Sequence, residues 1–464
     1  MTRRTLALSV LIVVVLAAGV AGAFTYDGGA YPDEWDERVA DLAEFVEDER
    51  ELRFDHPVHV DFLADDEFNE LVTTDEADLT EEDKEEIEHT AAILRALGLI
   101  GGDVDVFDAF NELNEVGILA FYDPEEERVR VKGTEMSPNL RVTLVHELTH
   151  ALQDQHFDIG DLQEVEEETE SSTYRGLVEG DASRVQHAYT ETLDEDEAAD
   201  LAEEEDALGQ EVEAADLPAV LEAILGAPYA LGEPLASALV EADGIRALND
   251  ALQDPPTTDE PLLDPLGYLE AGDDEEAVDV DTPALEDGEE EVDRGFFGSI
   301  AWYVMLAQRI DSREALGAVD GWGGDAYVAY DRDGTVCVRI AYRGDTADDA
   351  KELEDALASW VREMPPGAAS VGRDGDDGLT LQSCDPGDEA SVPEEVTAQD
   401  LMVVPAVRSS LAVLVLSQGA DADQARCFAD AVVGELSNEQ LVSDEADPAI
   451  VRALTEIGAR CRAA

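Results

Sequence analysis

Residues 137–155 read Ser137-Pro-Asn-Leu-Arg-Val-Thr-Leu-Val-His146-Glu147-Leu-Thr-His150-Ala-Leu-Gln-Asp-Gln155. Ser137 is a good N-cap and Pro138 suits the first helical position, so a helix is predicted from about 138 to 155. Leu144, Val145, Leu148, Ala151 and Leu152 supply the apolar surface that buries it. On a helix, residues four apart lie about 40° from each other on one face, one turn along. His146 and His150 can therefore hold one zinc ion between them. Glu147 is not placed as a further ligand. Its carboxylate reaches a water at the metal and serves there as general base. The chain has only seven histidines, which makes a pair spaced around a Glu unlike a chance of composition.

A third ligand has two candidates. His156 stands ten residues after His146, the metzincin spacing, but Gln153 replaces the glycine that turns the chain there. A helix continuing through Gln153 carries His156 off the metal face. Glu179, in Leu177-Val-Glu179-Gly-Asp-Ala182, belongs to a second helix expected over about 171–193. A carboxylate on a helix packed against the first completes a His₂Glu site, and Glu179 is the favoured ligand.

The run from His146 to Asp158, followed by Leu177–Ala182, resembles a family of gluzincin-type HExxH zinc metallopeptidases. Pro228-Tyr-Ala-Leu-Gly232, Pro255-Pro-Thr-Thr-Asp-Glu260 and Gly321-Trp-Gly-Gly-Asp-Ala-Tyr327 also resemble segments of such proteins. The similarity spans about residues 110–385. It implies zinc-dependent peptide-bond hydrolysis with Zn²⁺ on His146, His150 and Glu179, Glu147 as catalytic base, and a protein or peptide as substrate. It also implies a histidine before Pro265, where this chain has Asp264.

For the residue that stabilises the transition state, His187, Tyr174, Tyr229 and Tyr268 are candidates. Asp154 and Asp181 are candidates to orient a ligand imidazole through its second nitrogen. Gly117–Tyr122 and Arg128–Lys132 flank the turn signal Asp123-Pro124 and read as a hairpin, whose strand can hold substrate backbone as an added strand. His56, His59 and His89 read as surface or core histidines.

The expected fold is α+β. It has a mostly helical zincin-like core, an N-terminal α/β part that includes the hairpin, a small C-terminal ββαβ module and a helical tail. The parts divide as a signal peptide or signal anchor (1–24), a linker (25–37), the metallopeptidase domain (38–320), the small module (321–385) and the tail (386–464). Within the domain, 191–213 reads as a solvated helix face or a loop. Residues 219–225 and 235–252 read as separate helices, and 273–293 as an acidic loop.

Asp and Glu total 113 against 28 Lys and Arg, a formal net charge of −85. No basic surface can form at scale, which argues against nucleic acid as partner. The acids are spread along the whole chain without repeats. Such a surface repels itself at low salt and is screened at ~1 M, where the Debye length is about 3 Å. The composition is that of an extreme halophile's protein. Arg3 and Arg4 before the apolar run Leu6–Phe24 predict export, with an N-terminal membrane anchor if the segment is not cleaved. The four cysteines fit two disulfides in an oxidising compartment. Chain order favours Cys337–Cys384 and Cys427–Cys461. The expected location is extracellular or at the cell surface. Two rival readings are a non-catalytic envelope protein with a structural zinc, whose fourth ligand would be His156 or Asp181, and a zinc hydrolase with a non-peptide substrate.

Overall fold

The computed structural model describes residues 31–160, 168–215, 217–271, 277–393, 396–443 and 447–462. The expected signal segment lies outside them, as does the first part of the linker. Tyr31, in the rest of that linker, stacks on the His56 ring.

The chain begins with α1 (Ala40–Arg50), β1 (His59–Leu63), α2 (Asp65–Val72), α3 (Glu81–Ala96) and α4 (Val106–Gly117). The hairpin β2 (Ala120–Asp123) and β3 (Arg128–Lys132) then leads into α5 (Pro138–Phe157). Helices α6 (Glu168–Thr190), α7 (Glu195–Ala214), α8 (Ala219–Asp243), α9 (Ile245–Gln253), α10 (Glu260–Leu263) and α11 (Pro265–Ala271) follow. Next come β4 (Glu289–Gly295), α12 (Ser299–Ala307), α13 (Ser312–Val319), β5 (Trp322–Arg332), β6 (Thr335–Gly344), α14 (Ala347–Glu363), β7 (Ala369–Arg373) and β8 (Gly378–Cys384). The tail is α15 (Ala398–Ser417), α16 (Ala422–Glu435), α17 (Asn438–Leu441) and α18 (Pro448–Cys461). The fold class is α+β.

β3 lies between parallel β1 and antiparallel β2, which makes β2 an edge strand. Val129 and Val131 of this sheet pack with Val46 of α1 and with Leu144, Val145 and Leu148 of α5. The apolar face read from the sequence around His146 is thus the face that seats α5 on the sheet.

The second sheet is antiparallel, in the order β4-β5-β6-β8-β7. It is larger than the expected ββαβ unit. β4 comes from the stretch expected to be an acidic loop, and β7 adds a further edge. In β4, Glu289 is buried against Arg339 at 2.9 Å, so its charge is matched inside the sheet. Cys337 and Cys384 face each other across β6 and β8 and are bridged; Cys427 and Cys461 join α16 to α18. Both are the pairs that chain order favours.

One helical expectation is decided between its two alternatives and another changes. The acidic stretch after Glu191 is largely the helix α7, because its Ala, Leu and Glu residues are strong helix formers. It also grips α5: Glu204 accepts from Asn139 N at 2.9 Å and Glu197 pairs with Arg141 at 2.8 Å. α8 runs unbroken through Pro228 and Pro234. Each interior proline costs about 3 kcal/mol, which burial of Val220, Leu221, Leu231, Leu235 and Leu239 offsets. α8 and α15 are long and apolar enough to cross a membrane. Both are core helices here: Leu231 of α8 and Leu401 of α15 share one cluster with Leu97, Trp302 and Tyr327.

Candidate metal centre

α6 and α8 cross on glycine. A Cβ on Gly180 would lie 2.1 Å from the carbonyl carbon of Gly232, and one on Gly232 would lie 1.9 Å from Gly176 O. Only hydrogen fits at that crossing. Glu179 and Tyr229 sit beside it, one on each helix. α5 packs against the other flank of α6 and brings His146 and His150 to the same place.

Glu179 Oε2 lies 3.1 Å from His146 Nε2 and 3.3 Å from His150 Nε2. The two imidazoles meet edge to face with centroids 4.6 Å apart. All three side chains are buried, and their ligand atoms lie within 4.8 Å of one another. Ligand atoms about 2.0–2.2 Å from one tetrahedral ion are separated by roughly 3.4 Å, so the two imidazole–carboxylate spacings suit a single ion. The donor set fits a divalent metal.

The charges are arranged to match. Burial works against a charge on His150, but the Glu179 carboxylate outweighs it and raises the imidazole to about 9. Burial alone would raise Glu179; the two imidazoles hold it well below the usual carboxylate range. A cation between them takes over the role of that proton.

Glu147 is also buried, and burial pushes its carboxyl up against the pull of His150 and His146. It is not a ligand. Its Oε2 accepts a hydrogen bond from Tyr122 N of β2 at 2.8 Å. Leu119 O accepts from Lys132 N at 2.9 Å, so by antiparallel alternation the peptide groups of Ala120 and Tyr122 turn away from β3. Tyr122 thus ties the candidate base to the outer edge of β2.

Of the candidate donors, Tyr229 is at the centre. Its ring lies 5.7 Å from that of His146, nearly parallel, and is 40% exposed. Its hydroxyl end is enclosed beside Glu179, and that burial together with the carboxylate raises its pKa well above the ordinary value. The charge of Arg175 opposes this rise. Arg175 is buried one turn before Glu179 on the same helix face, and the sequence reading passed over it. The i, i+4 spacing to Glu179 was the signal available.

Other candidates lie elsewhere. His187 is exposed and pairs with Glu233 at 3.1 Å. Tyr174 belongs to the main core and Tyr268 packs at its margin. His156 turns outward to Arg53 O at 2.8 Å, as a helix continuing past Gln153 requires. Asp154 accepts from Tyr122 Oη at 2.8 Å, not from an imidazole. Asp181 stands one residue behind the centre: Gln153 Oε1 meets His150 Nδ1 at 2.9 Å, and Gln153 Nε2 donates to Asp181 Oδ2 at 2.9 Å. Asp264 accepts from Gly267 N within α11 and pairs with Arg426.

The remaining motifs brace the site from behind. Thr173 of α6 donates to Thr258 O at 2.5 Å. The next residue, Asp259, accepts from Ser299 N and Oγ and from Ile300 N, closing the start of α12. Asp325 accepts from Phe297 N and Gly298 N just before it. The Pro255–Glu260 and Gly321–Tyr327 segments thus fasten the five-stranded sheet to the helix that carries Glu179.

Residues 285–413 match a family model described as a domain of unknown function (DUF8575). The match covers the sheet and most of α15, and not the metal centre. No curated protein and no solved structure matches the chain.

Proposed function

We propose that the chain is an exported zinc-dependent metalloendopeptidase of the gluzincin type, acting on proteins or peptides. The observation that carries this reading is the position of Glu147. It adjoins the His146–His150–Glu179 cluster without joining it, and it is fastened to the edge strand where an extended chain can bind. A structural metal site has no use for such a carboxylate. A closed site would also need a fourth ligand, and His156 and Asp181 are both committed to other partners.

His146, His150 and Glu179 would hold the zinc, which supplies Lewis acidity to a water and to the scissile carbonyl. The rest is done by the chain. The outward peptide groups of Ala120 and the Tyr122 carbonyl hold the substrate backbone as an added strand, while the Tyr122 N–H stays on Glu147. Glu147 takes a proton from the attacking water and delivers it to the leaving nitrogen. Its burial raises its affinity for that proton, which suits the first step. Tyr229 donates to the oxygen on which negative charge develops. Two disulfides fit an oxidising compartment, in keeping with action at or outside the cell surface.

The test is metal content and peptide hydrolysis in molar salt. The wild type should hold one zinc and cleave. Glu147→Gln should keep its zinc and lose about 10²–10⁴ in kcat. Glu179→Ala should lose the metal. A zinc-loaded wild type that leaves peptides intact, or an active Glu147→Gln, overturns the reading; product analysis then decides for a non-peptide substrate.

A further inference from the structure

Gln153 is neither a ligand nor a base, and it is wholly buried beside both. Its amide nitrogen faces two acceptors, Val178 O at 3.0 Å and Asp181 Oδ2 at 2.9 Å. Asp181 is held in turn by Arg50 Nε at 2.7 Å, and neither side chain is exposed at all. Arg50 also donates to Asn249 Oδ1 at 2.9 Å. The four residues come from α5, α6, α1 and α9.

This arrangement removes the usual freedom of a glutamine amide. A flipped Gln153 would set its oxygen against a carbonyl oxygen and a carboxylate, and its NH₂ group would lose both acceptors. A buried polar group left so costs far more than it gains elsewhere. The amide oxygen must therefore face His150 Nδ1, and Nδ1 must carry the hydrogen. In the neutral form that a metal ligand must take, the imidazole keeps its one N–H on Nδ1, so the lone pair of His150 falls on Nε2, the nitrogen 3.3 Å from Glu179. His146 has no such tie: its Nδ1 is buried without a hydrogen-bond partner among the described residues.

We propose that Gln153 is a positioning residue that commits His150 Nε2 to the metal, with Asp181 and Arg50 anchoring its amide. His150 is then the ligand set in advance, and His146 the one that adjusts. The proposal rests on metal binding at this centre but not on peptide hydrolysis.

The probe is zinc alone, with affinity read by chelator competition on the full chain in molar salt. Gln153→Met keeps the volume and removes donor and acceptor. It should bind zinc about 10–100-fold more weakly than wild type, the usual effect of removing a partner behind a ligand histidine. The cobalt-loaded protein should show a shifted visible absorption band as the imidazole is released. A purely structural role predicts the other pattern, a lower melting temperature of the metal-free protein with zinc affinity and cobalt band unchanged. That pattern overturns the proposal while leaving the metal site standing. A wild type that binds no zinc overturns both. A measurement that needs no folded variant is nitrogen NMR of the zinc-loaded wild type labelled at its seven histidines. His150 must show a protonated, hydrogen-bonded Nδ1 and a metal-bound Nε2; metal on Nδ1 sinks the proposal.

Discussion

Glu179 and Asp325 are both buried carboxylates, and they end differently. Asp325 accepts from Phe297 N at 2.6 Å, Gly298 N at 3.1 Å, Trp302 Nε1 at 2.9 Å and Trp322 Nε1 at 2.6 Å. Burial raises it to about 6 and the four donors pull against that rise. Glu179 instead faces two imidazoles, which hold it far below its ordinary pKa. A carboxylate filled by the hydrogens of its own fold has completed its task once the fold forms. One whose partners are imidazoles that could themselves hold a metal ion keeps a place for one. Depth of burial does not separate the two acids; the identity of their partners does.

The sharpest way to break this contrast is to exchange the damage. Asp325→Ala strands four buried donors and should destabilise the protein by about 3–5 kcal/mol, the range for losing one member of a buried charged network. Zinc content of the molecules that remain folded should equal wild type. Glu179→Gln should do the reverse, abolishing zinc binding while moving the urea midpoint in chelator far less. A zinc-deficient but stable Asp325→Ala would end the distinction.

Asp293 gives a smaller and pH-dependent version. It is buried on β4, accepts from Tyr327 Oη at 2.6 Å, and burial pushes its pKa up to about 7. An unfolded Asp titrates near 3.8. Between these values the folded chain binds a proton that the unfolded chain does not, so this group's contribution to stability falls as pH rises through 7. From pH 5 to pH 8 the wild type should lose about 2–3 kcal/mol relative to Asp293→Asn. Parallel urea curves for the two proteins across that interval would show the assignment to be wrong.

These acids also mark what was legible in the sequence. His146 and His150 were readable because helix geometry converts spacing into a shared face, Glu147 because it stands between them in the motif, and Glu179 because it follows an apolar pair on a second helix; the structure gathers all four. The disulfides were readable from order alone. Chain order gives no such access to partners brought in from afar. Tyr122 N reaches Glu147 from another element, and Arg50 reaches Asp181 across more than a hundred residues. Residues 289–295 hid as a strand because Glu289 and Asp293 look solvated until Arg339 and Tyr327 are placed beside them. α8 was divided because its prolines are local signals and the burial that overrides them is tertiary. The Pro255–Glu260 and Gly321–Tyr327 segments were noticed by resemblance, and their carboxylates prove to be fasteners of α12.

Glycine offers the finest form of the same contrast. Gly232 is required by contact, since a Cβ there would lie 1.9 Å from Gly176 O, and no side-chain rotation relieves a clash with backbone. Gly209 lies in exposed α7 with nothing within 4 Å of its Cβ position. Gly232→Ala must push α8 off α6 and should cost about 1–3 kcal/mol as an overpacked core. Tyr229, one turn earlier on α8, moves with it, so kcat should fall more than zinc affinity does. Gly209→Ala should instead stabilise α7 by about 0.5–1 kcal/mol, because alanine loses less backbone entropy on entering a helix. Urea midpoints in molar salt should therefore move in opposite directions. If Gly232→Ala is neutral, the close crossing that sets Tyr229 over His146 does not exist in solution, and the oxyanion role given to Tyr229 falls with it.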